Sequence, residues 1–271
     1  MKIALVQSSL VWGNVEENLA LFDRKLAGIG ACDVILLPEM FTSGSMLVKQ
    51  DKRVADAEKN KTAVCYERVR RLMSEWAEKQ DALVMGSTVY HEGESYYNRM
   101  IVAFPDGKYL YYDKRHCFRM GGENEHFTAG KRHLFFDFRG IRIATFICYD
   151  LRFPVWSRNT DNYDLAVYAA NWPASRRKVW QLLLQTRAIE NQAFVAGVNC
   201  VGTDTAGLTY AGDSAVIDAK GNIVGACREY KEEIKIIGID VEELRQFRNK
   251  FAVLEDRDAF EIKGIDGLER E

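Results

Sequence analysis

Short apolar runs alternate along the chain with longer segments in which apolar residues recur every three or four positions. Continuous apolar runs of about four to eight residues are typical of buried β-strands. They lie at residues 3–7, 34–38, 83–90, 100–104, 108–112, 141–148, 165–170, 194–199, 214–218 and 234–240. Helical spacing occurs near residues 15–28, 63–80, 178–192 and 241–251. The alternation predicts an α/β fold.

Turn sequences separate two pairs of the predicted strands. Pro-Asp-Gly occupies residues 105–107, and Ala-Lys-Gly-Asn occupies residues 219–222. Such turns join antiparallel strands, whereas helices connect parallel ones, so we predict a mixed sheet. No linker rich in Pro, Gly or Ser marks a domain boundary. We therefore expect one domain over residues 1–271, in which the mostly charged segment 254–271 is a C-terminal arm or tail.

Composition restricts the class of protein. The chain is 47% hydrophobic and 28% charged, as soluble globular proteins are. A net charge of −2 predicts neither a nucleic-acid partner nor an anionic membrane surface, and no segment resembles a signal peptide or a membrane span. Six scattered cysteines lack a C-x-x-C pair, so neither a disulfide framework nor a zinc site is predicted. We expect a cytoplasmic protein without a metal.

Cys148 ends the strand-like run 141–148, and a helical turn can begin near Asp150. A thiol at a strand-to-helix elbow lies near the positive end of the helix dipole, which lowers the thiol pKa. This context predicts a nucleophile at Cys148. The other five cysteines are predicted to be small buried apolar residues.

Two further reactive side chains follow apolar runs. Glu39 comes just after the run 34–38, where a dry environment suits a proton carrier. Lys114 follows the segment 109–113 and could hold a developing oxyanion. The four histidines offer a Cys–His pair in principle, but they lie in polar or turn-like surroundings. A carboxylate, an ammonium and a thiol together suit amide hydrolysis.

The three motifs in their order resemble the nitrilase superfamily of carbon–nitrogen hydrolases, which uses a Glu-Lys-Cys triad. They are Leu-Pro-Glu at 37–39, Asp-Lys-Arg-His at 113–116 and Cys-Tyr-Asp-Leu-Arg-Phe-Pro at 148–154. The resemblance implies a four-layer α-β-β-α sandwich, dimerisation through helices, and catalysis by Glu39, Lys114 and Cys148 without a cofactor. It also implies that the backbone N–H of Tyr149 contributes to the oxyanion site.

The same resemblance implies a second glutamate, which precedes a glycine by a fixed interval. Glu123 lies seven residues before Gly130 and matches that interval. Glu125 is the competing choice. The expected role of this glutamate is to orient Lys114 and the substrate.

Several segments look most like the omega-amidase branch, which hydrolyses the terminal amide of 2-oxoglutaramate and 2-oxosuccinamate. Among them are residues 38–44 and 170–174. Such a substrate carries a carboxylate, for which a guanidinium is the matching cation. We predict that Arg176 binds it between apolar walls formed by Phe41 and Trp172. Arg177 and Arg119 are alternatives.

Other functions remain open at this point. Another superfamily activity, that of an N-carbamoyl amino acid amidohydrolase or a nitrilase, would use the same three residues. A non-catalytic α/β binding module is an alternative of a different class, although a complete Glu, Lys and Cys set argues against it. Release of ammonia from amide, carbamoyl and nitrile substrates separates these possibilities.

Overall fold

The structure is a computed structural model that describes residues 1–45, 52–264 and 268–270. Its helices are α1 (Val15–Ala27), α2 (Lys52–Val64), α3 (Tyr66–Gln80), α4 (Glu123–His126), α5 (Arg177–Asn191) and α6 (Val241–Lys250). Its strands are β1 (Lys2–Gln7), β2 (Val34–Leu36), β3 (Leu83–Glu92), β4 (Ser95–Ala103), β5 (Tyr109–Asp113), β6 (His133–Phe138), β7 (Ile141–Ile147), β8 (Leu165–Ala170), β9 (Phe194–Asn199), β10 (Val201–Thr203), β11 (Thr209–Ala211), β12 (Ala215–Ile217), β13 (Ile223–Ala226), β14 (Glu233–Gly238) and β15 (Leu268–Arg270).

Most strands belong to two large mixed sheets. The first sheet has the strand order β14-β1-β2-β3-β4-β5, and the second has the order β13-β12-β9-β8-β7-β6-β15. The parallel pairs β1–β2, β2–β3, β7–β8 and β8–β9 lie at the sheet centres. Antiparallel pairs flank them, including the hairpin β4–β5 across the predicted turn at 105–107. The predicted mixed arrangement is confirmed.

Strand β1 shows why the two sheets pack face to face. Ile3 and Leu5 belong to the apolar core that contains Phe135 of the second sheet. The intervening residues Ala4 and Val6 pack into a separate core with the helices α1 and α3. Because successive side chains of a strand point to opposite faces, β1 is covered by a sheet on one side and by helices on the other.

Helix α5 covers the outer face of the second sheet. Trp180 and Leu184 approach Gly197 of β9 so closely that a Cβ there would lie 2.7 Å from each side chain. The order of layers is therefore helices, first sheet, second sheet, helices. The predicted four-layer α-β-β-α sandwich is confirmed.

The C-terminal segment 254–271 is described only in part. Residues 254–264 are irregular, whereas β15 pairs in parallel with β6 at the edge of the second sheet. All six cysteines have free thiols. In the described ranges, no helix is both long enough and apolar enough to cross a membrane.

The carboxyl ends of three strands bring the predicted reactive residues together. Glu39 follows β2 and Lys114 follows β5 in the first sheet, while Cys148 follows β7 in the second. The carboxyl ends of parallel strands are where α/β enzymes place their chemistry.

Candidate active site

Lys114 is the centre of a buried cluster of charges. Its ammonium lies 2.8 Å from Oε1 of Glu39, and 2.9 and 2.8 Å from the two carboxylate oxygens of Glu123. The three side chains are at most 7% exposed. Two carboxylates therefore share one ammonium in a site that is almost closed to water.

Neutral groups complete the hydrogen bonding of both carboxylates. The Asn98 amide donates to Oε1 of Glu39 over 2.8 Å and to Glu123 over 3.3 Å. The backbone N–H of Asn171 donates to Oε2 of Glu39 over 2.9 Å, and that of Phe118 donates to Glu123. These donors stabilise the excess negative charge of the cluster and fix the two carboxylates in position.

The same cluster determines the charge of Lys114. Burial alone would lower the pKa of a lysine, but the carboxylates of Glu123 and Glu39 outweigh burial and raise the pKa of Lys114 well above its ordinary value. Lys114 is therefore a permanent cation beside the thiol.

Cys148 lies at a sharp bend between β7 and a single 3₁₀ turn that spans Cys148–Arg152. Its φ angle of 43° is in the left-handed region, which non-glycine residues rarely adopt. Met40, next to Glu39, has a φ angle of 46°. Both the thiol and the carboxylate are thus held by strained backbone, as is common at functional sites.

The expectation that a helix dipole lowers the pKa of Cys148 is wrong. Burial raises the pKa of the thiol well above its ordinary value, and the charge of Glu39 raises it further, while Lys114 opposes both. The turn that follows Cys148 is too short to supply a strong dipole. The raised pKa leaves the resting thiol protonated, so a thiol in this position would need a base in order to act as a nucleophile.

The thiol opens into a cavity of about 310 Å³. Its walls include the four predicted catalytic residues, Tyr149 and Trp172. Sequence reasoning missed the part of the wall formed by Tyr210 in β11 and by Leu208 in the loop between β10 and β11. These strands are only three residues long, and their pattern alone does not show that they return to the site.

The prediction that Phe41 forms a wall of this cavity is wrong. Its side chain is fully buried in the layer between the first sheet and the outer helices, where its ring lies 5.3 Å from that of Phe22 and 6.3 Å from that of Trp76. The left-handed turn at Met40 directs Glu39 and Phe41 to different sides of the loop.

Two arginines line the cavity. The Arg176 guanidinium lies 5.2 Å from the ring centre of Phe118, and that of Arg152 lies 5.1 Å from the ring centre of Trp172. Sequence reasoning did not consider Arg152, although it lies four residues after the thiol. The alternative Arg177 forms a bidentate ion pair with Asp213, at 2.9 and 2.7 Å.

The structure also separates Glu123 from Glu125. Glu123 is buried against Lys114, whereas Glu125 is exposed on the other side of α4. Gly130, which lies seven residues after Glu123, packs directly against the backbone at Lys114. Its N–H donates to the carbonyl of Lys114 over 2.8 Å, and a Cβ on Gly130 would lie 2.0 Å from the carbonyl oxygen of Asp113.

Comparisons with known proteins agree with this geometry. Residues 2–249 match the carbon–nitrogen hydrolase family. The chain is 43% identical over 260 residues to the omega-amidase YafV of Yersinia enterocolitica, covering 96% of this chain and 98% of that protein. It is 31% identical over 259 residues to the 2-oxoglutaramate amidase of Bacillus subtilis, with coverages of 94% and 96%. A solved structure, the CN-hydrolase superfamily protein XC1258 from Xanthomonas campestris with an arsenic adduct in its active site, superposes with a TM-score of 0.89 at 36% identity, covering 97% of this chain and 98% of that one.

Proposed function

The chain belongs to the carbon–nitrogen hydrolase family, and we propose that it is an omega-amidase. The proposed substrates are small 2-oxo dicarboxylic acid monoamides such as 2-oxoglutaramate and 2-oxosuccinamate, which are hydrolysed to the acid and ammonia. The observation that carries the proposal is the buried Glu39–Lys114–Glu123 cluster beside the Cys148 thiol, in a cavity that also contains two arginines. Relatives that match over almost their whole length and are named omega-amidase or 2-oxoglutaramate amidase support the choice of substrate.

The first half of the proposed reaction forms a thioester. Glu39 takes the proton of the Cys148 thiol, and the sulfur attacks the carbonyl carbon of the amide. The developing oxyanion lies between the Lys114 ammonium and the backbone N–H of Tyr149. When the tetrahedral intermediate collapses, the C–N bond breaks, and the nitrogen leaves as ammonia with the proton that Glu39 returns.

The second half hydrolyses the thioester. Glu39, again ionised, removes a proton from a water molecule that attacks the acyl carbon. Collapse of the second oxyanion breaks the C–S bond, and the Cys148 sulfur regains a proton from Glu39. Glu123 acts throughout by holding the Lys114 ammonium in place and charged.

Substrate selection is proposed to rest on the guanidinium groups. The carboxylate remote from the scissile amide binds Arg176, for which Arg152 is a second cation on the cavity wall. Trp172 supplies an apolar surface for the carbon chain. A neutral amide would leave these cations without a counter-charge, so the cavity favours an acidic substrate.

The test is ammonia release from 2-oxoglutaramate, an N-carbamoyl amino acid and an aliphatic nitrile by the purified chain. We expect turnover of 2-oxoglutaramate, loss of at least about 1,000-fold in Cys148→Ala with folding retained, and an acyl mass adduct on the Cys148 peptide of quenched wild type. Preference for the carbamoyl or nitrile substrate would contradict the omega-amidase proposal and indicate another activity of the family. Substantial activity of Cys148→Ala would remove the nucleophile assignment.

A reducing compartment suits six free thiols, which supports a cytoplasmic location. Fractionation of the native host followed by immunodetection tests this. Recovery mainly in a membrane or secreted fraction would contradict it.

A further inference from the structure

Asp150 lies just beyond the catalytic cluster and belongs to none of the roles assigned above. It is fully buried and accepts four hydrogen bonds. Its Oδ1 accepts from the backbone N–H and from Nδ1 of His116, over 2.9 and 2.8 Å. Its Oδ2 accepts from the Tyr112 hydroxyl over 2.7 Å and from the Ile147 N–H over 3.0 Å.

The positions of these donors connect the two sheets. Ile147 ends β7 of the second sheet and immediately precedes Cys148. Tyr112 in β5 of the first sheet and His116 in the loop after β5 lie two residues on either side of Lys114. Cys148 and Lys114 thus belong to separate elements, and Asp150 is hydrogen-bonded to the segments next to both of them. We propose that Asp150 is a positioning residue for catalysis, which sets the distance between the Cys148 sulfur and the Lys114 ammonium by binding both segments.

Tyr112 reinforces this anchor. Its hydroxyl donates to Asp150 and accepts from the indole N–H of Trp156 over 2.9 Å and from the backbone N–H of Arg115 over 3.2 Å. Burial and the charge of Asp150 raise the pKa of Tyr112 well above its ordinary value, so the hydroxyl remains a donor. The hydroxyl therefore also fixes the backbone on the far side of Lys114.

An asparagine cannot replace Asp150 in this network, although it has the same shape. Each carboxylate oxygen accepts one backbone N–H, from His116 or from Ile147. In either orientation of a carboxamide, its NH₂ group would face one of those N–H donors. A buried donor without an acceptor forces local displacement, and a shift of about 1 Å at a reacting group can cost about 100-fold in rate.

The inference rests on the proposed omega-amidase reaction and is tested with 2-oxoglutaramate. We expect Asp150→Asn to lower kcat about 100-fold with KM changed less than about threefold. Tyr112→Phe, which removes one hydroxyl, should lower kcat about tenfold. If Asp150→Asn fails to fold, the kcat of Tyr112→Phe alone tests the positioning role.

Asp164→Asn is the matched control. Asp164 is a buried carboxylate that accepts from Arg248 and from the Arg142 N–H, at the opposite end of β8 from the catalytic residues. We expect this variant to lower the melting temperature and to keep kcat within about twofold of wild type. A wild-type kcat in Tyr112→Phe and in folded Asp150→Asn, or a change confined to KM, would overturn the positioning role.

Alkylation of Cys148 by iodoacetamide gives a readout that needs no amide substrate. Loss of the Asp150 hydrogen bonds should loosen the backbone bend at Cys148 and expose the thiol. Its alkylation rate should therefore increase about tenfold in Asp150→Asn, but not in Asp164→Asn. An inactive wild type with this alkylation difference would count against the omega-amidase proposal alone. Equal alkylation rates in the two variants would count against the role of Asp150.

Discussion

Among single residues, the buried charges are the feature with the clearest chemical consequence. Two carboxylates and one ammonium leave the cluster with one net negative charge before the thiol is considered. The negative charge of Glu39 raises the pKa of Cys148, whereas the positive charge of Lys114 lowers it. Variants of Glu39 therefore separate thiol ionisation from proton transfer.

Glu39→Gln should make the thiol easier to ionise and the enzyme inactive. Removal of the negative charge lowers the pKa of Cys148, so its pH profile of iodoacetamide alkylation should shift to lower pH. Turnover should fall at least about 1,000-fold, because the amide cannot carry a proton. Mass spectrometry of the Cys148 peptide measures the first effect, and ammonia release measures the second.

Glu125→Gln is the control for this prediction, since it removes the same charge from an exposed position on α4. Its alkylation profile and turnover should match those of wild type. An unshifted profile in Glu39→Gln would show that Glu39 does not control the protonation of the thiol.

The arginines give a second prediction at this scale. Arg176→Ala should lower kcat/KM for 2-oxoglutaramate about 30- to 1,000-fold, the equivalent of about 2 to 4 kcal/mol from a lost charge-assisted hydrogen bond. A neutral aliphatic amide of similar size should lose much less. Arg152→Ala, measured on the same two substrates, shows whether the second guanidinium shares the carboxylate. Equal losses on both substrates would remove an arginine from carboxylate recognition.

At the scale of elements, Gly130 joins the loop after α4 to the end of β5. Gly130→Ala would place its Cβ against the carbonyl oxygen of Asp113, which is backbone and cannot move aside cheaply. We expect a loss of about 3 kcal/mol or more in unfolding free energy and a fall in kcat, because Lys114 shifts with this backbone.

Gly238→Ala is the matched control, since a Cβ at this strand end meets nothing within 4 Å. It should change stability by less than about 1 kcal/mol and leave kcat unchanged. Urea unfolding and steady-state kinetics measure both quantities. A Gly130→Ala variant as stable and active as Gly238→Ala would contradict the described packing.

The apolar pattern predicted the central strands well and the peripheral elements poorly. Strands such as β8 and β9 are covered on both faces, so every position is buried and the run is almost entirely apolar. Helix α2 was not predicted, because residues 52–64 are mostly polar. The short β10 and β11 form a separate two-stranded sheet and depend on tertiary packing.

Within the site, the predictable residues were those at the end of an apolar run or just beyond it. Glu39, Lys114 and Cys148 are of this kind, and the structure brings them together. Asn98 could not be found in this way, because it lies in a polar stretch at the start of β4 and acquires its partners only in the fold. Phe41 was misassigned because adjacency in sequence does not determine which side of a bend a residue faces.

At the scale of the whole molecule, several apolar side chains remain exposed near the second sheet. Leu182 and Ile189 on α5 are 52% and 53% exposed, and Phe251 and Phe260 in the C-terminal region are 60% and 43% exposed. Exposed apolar groups of this size often mark a protein interface. The homodimer implied by the family resemblance stays a prediction, and we expect the 254–260 segment to contribute to its interface.

Light scattering at micromolar concentration should give the mass of a dimer. The double variant Phe251→Ser and Phe260→Ser should weaken dimerisation, because it removes apolar area from the proposed interface. Ile223→Ser removes a similarly exposed side chain from β13 and serves as the control. A monomeric wild type, or equal dimerisation in both variants, would contradict the prediction.

The buried thiols make global stability sensitive to alkaline pH. Burial raises the pKa of Cys200 well above the ordinary value of 9.0. Above about pH 9 the unfolded chain loses the proton of this thiol while the folded chain keeps it, so this contribution to stability falls as pH rises. Above about pH 9, the difference in unfolding free energy between wild type and Cys200→Ala should decrease by up to about 1.4 kcal/mol per pH unit. Urea unfolding at pH 7.5 and pH 10 measures this difference, and a constant difference would contradict the raised pKa.

The left-handed backbone at Cys148 implies a trade-off between stability and activity. At ordinary positions alanine is more stabilising than glycine, but a left-handed conformation costs a residue with a Cβ about 1 to 2 kcal/mol. Cys148→Gly should therefore unfold at higher urea concentration than Cys148→Ala, a reversal of the usual order, and we expect both variants to be inactive. The opposite order would show that the bend is not strained. The proposed nucleophile thus occupies a position where glycine would be more stable, because the proposed reaction requires its thiol.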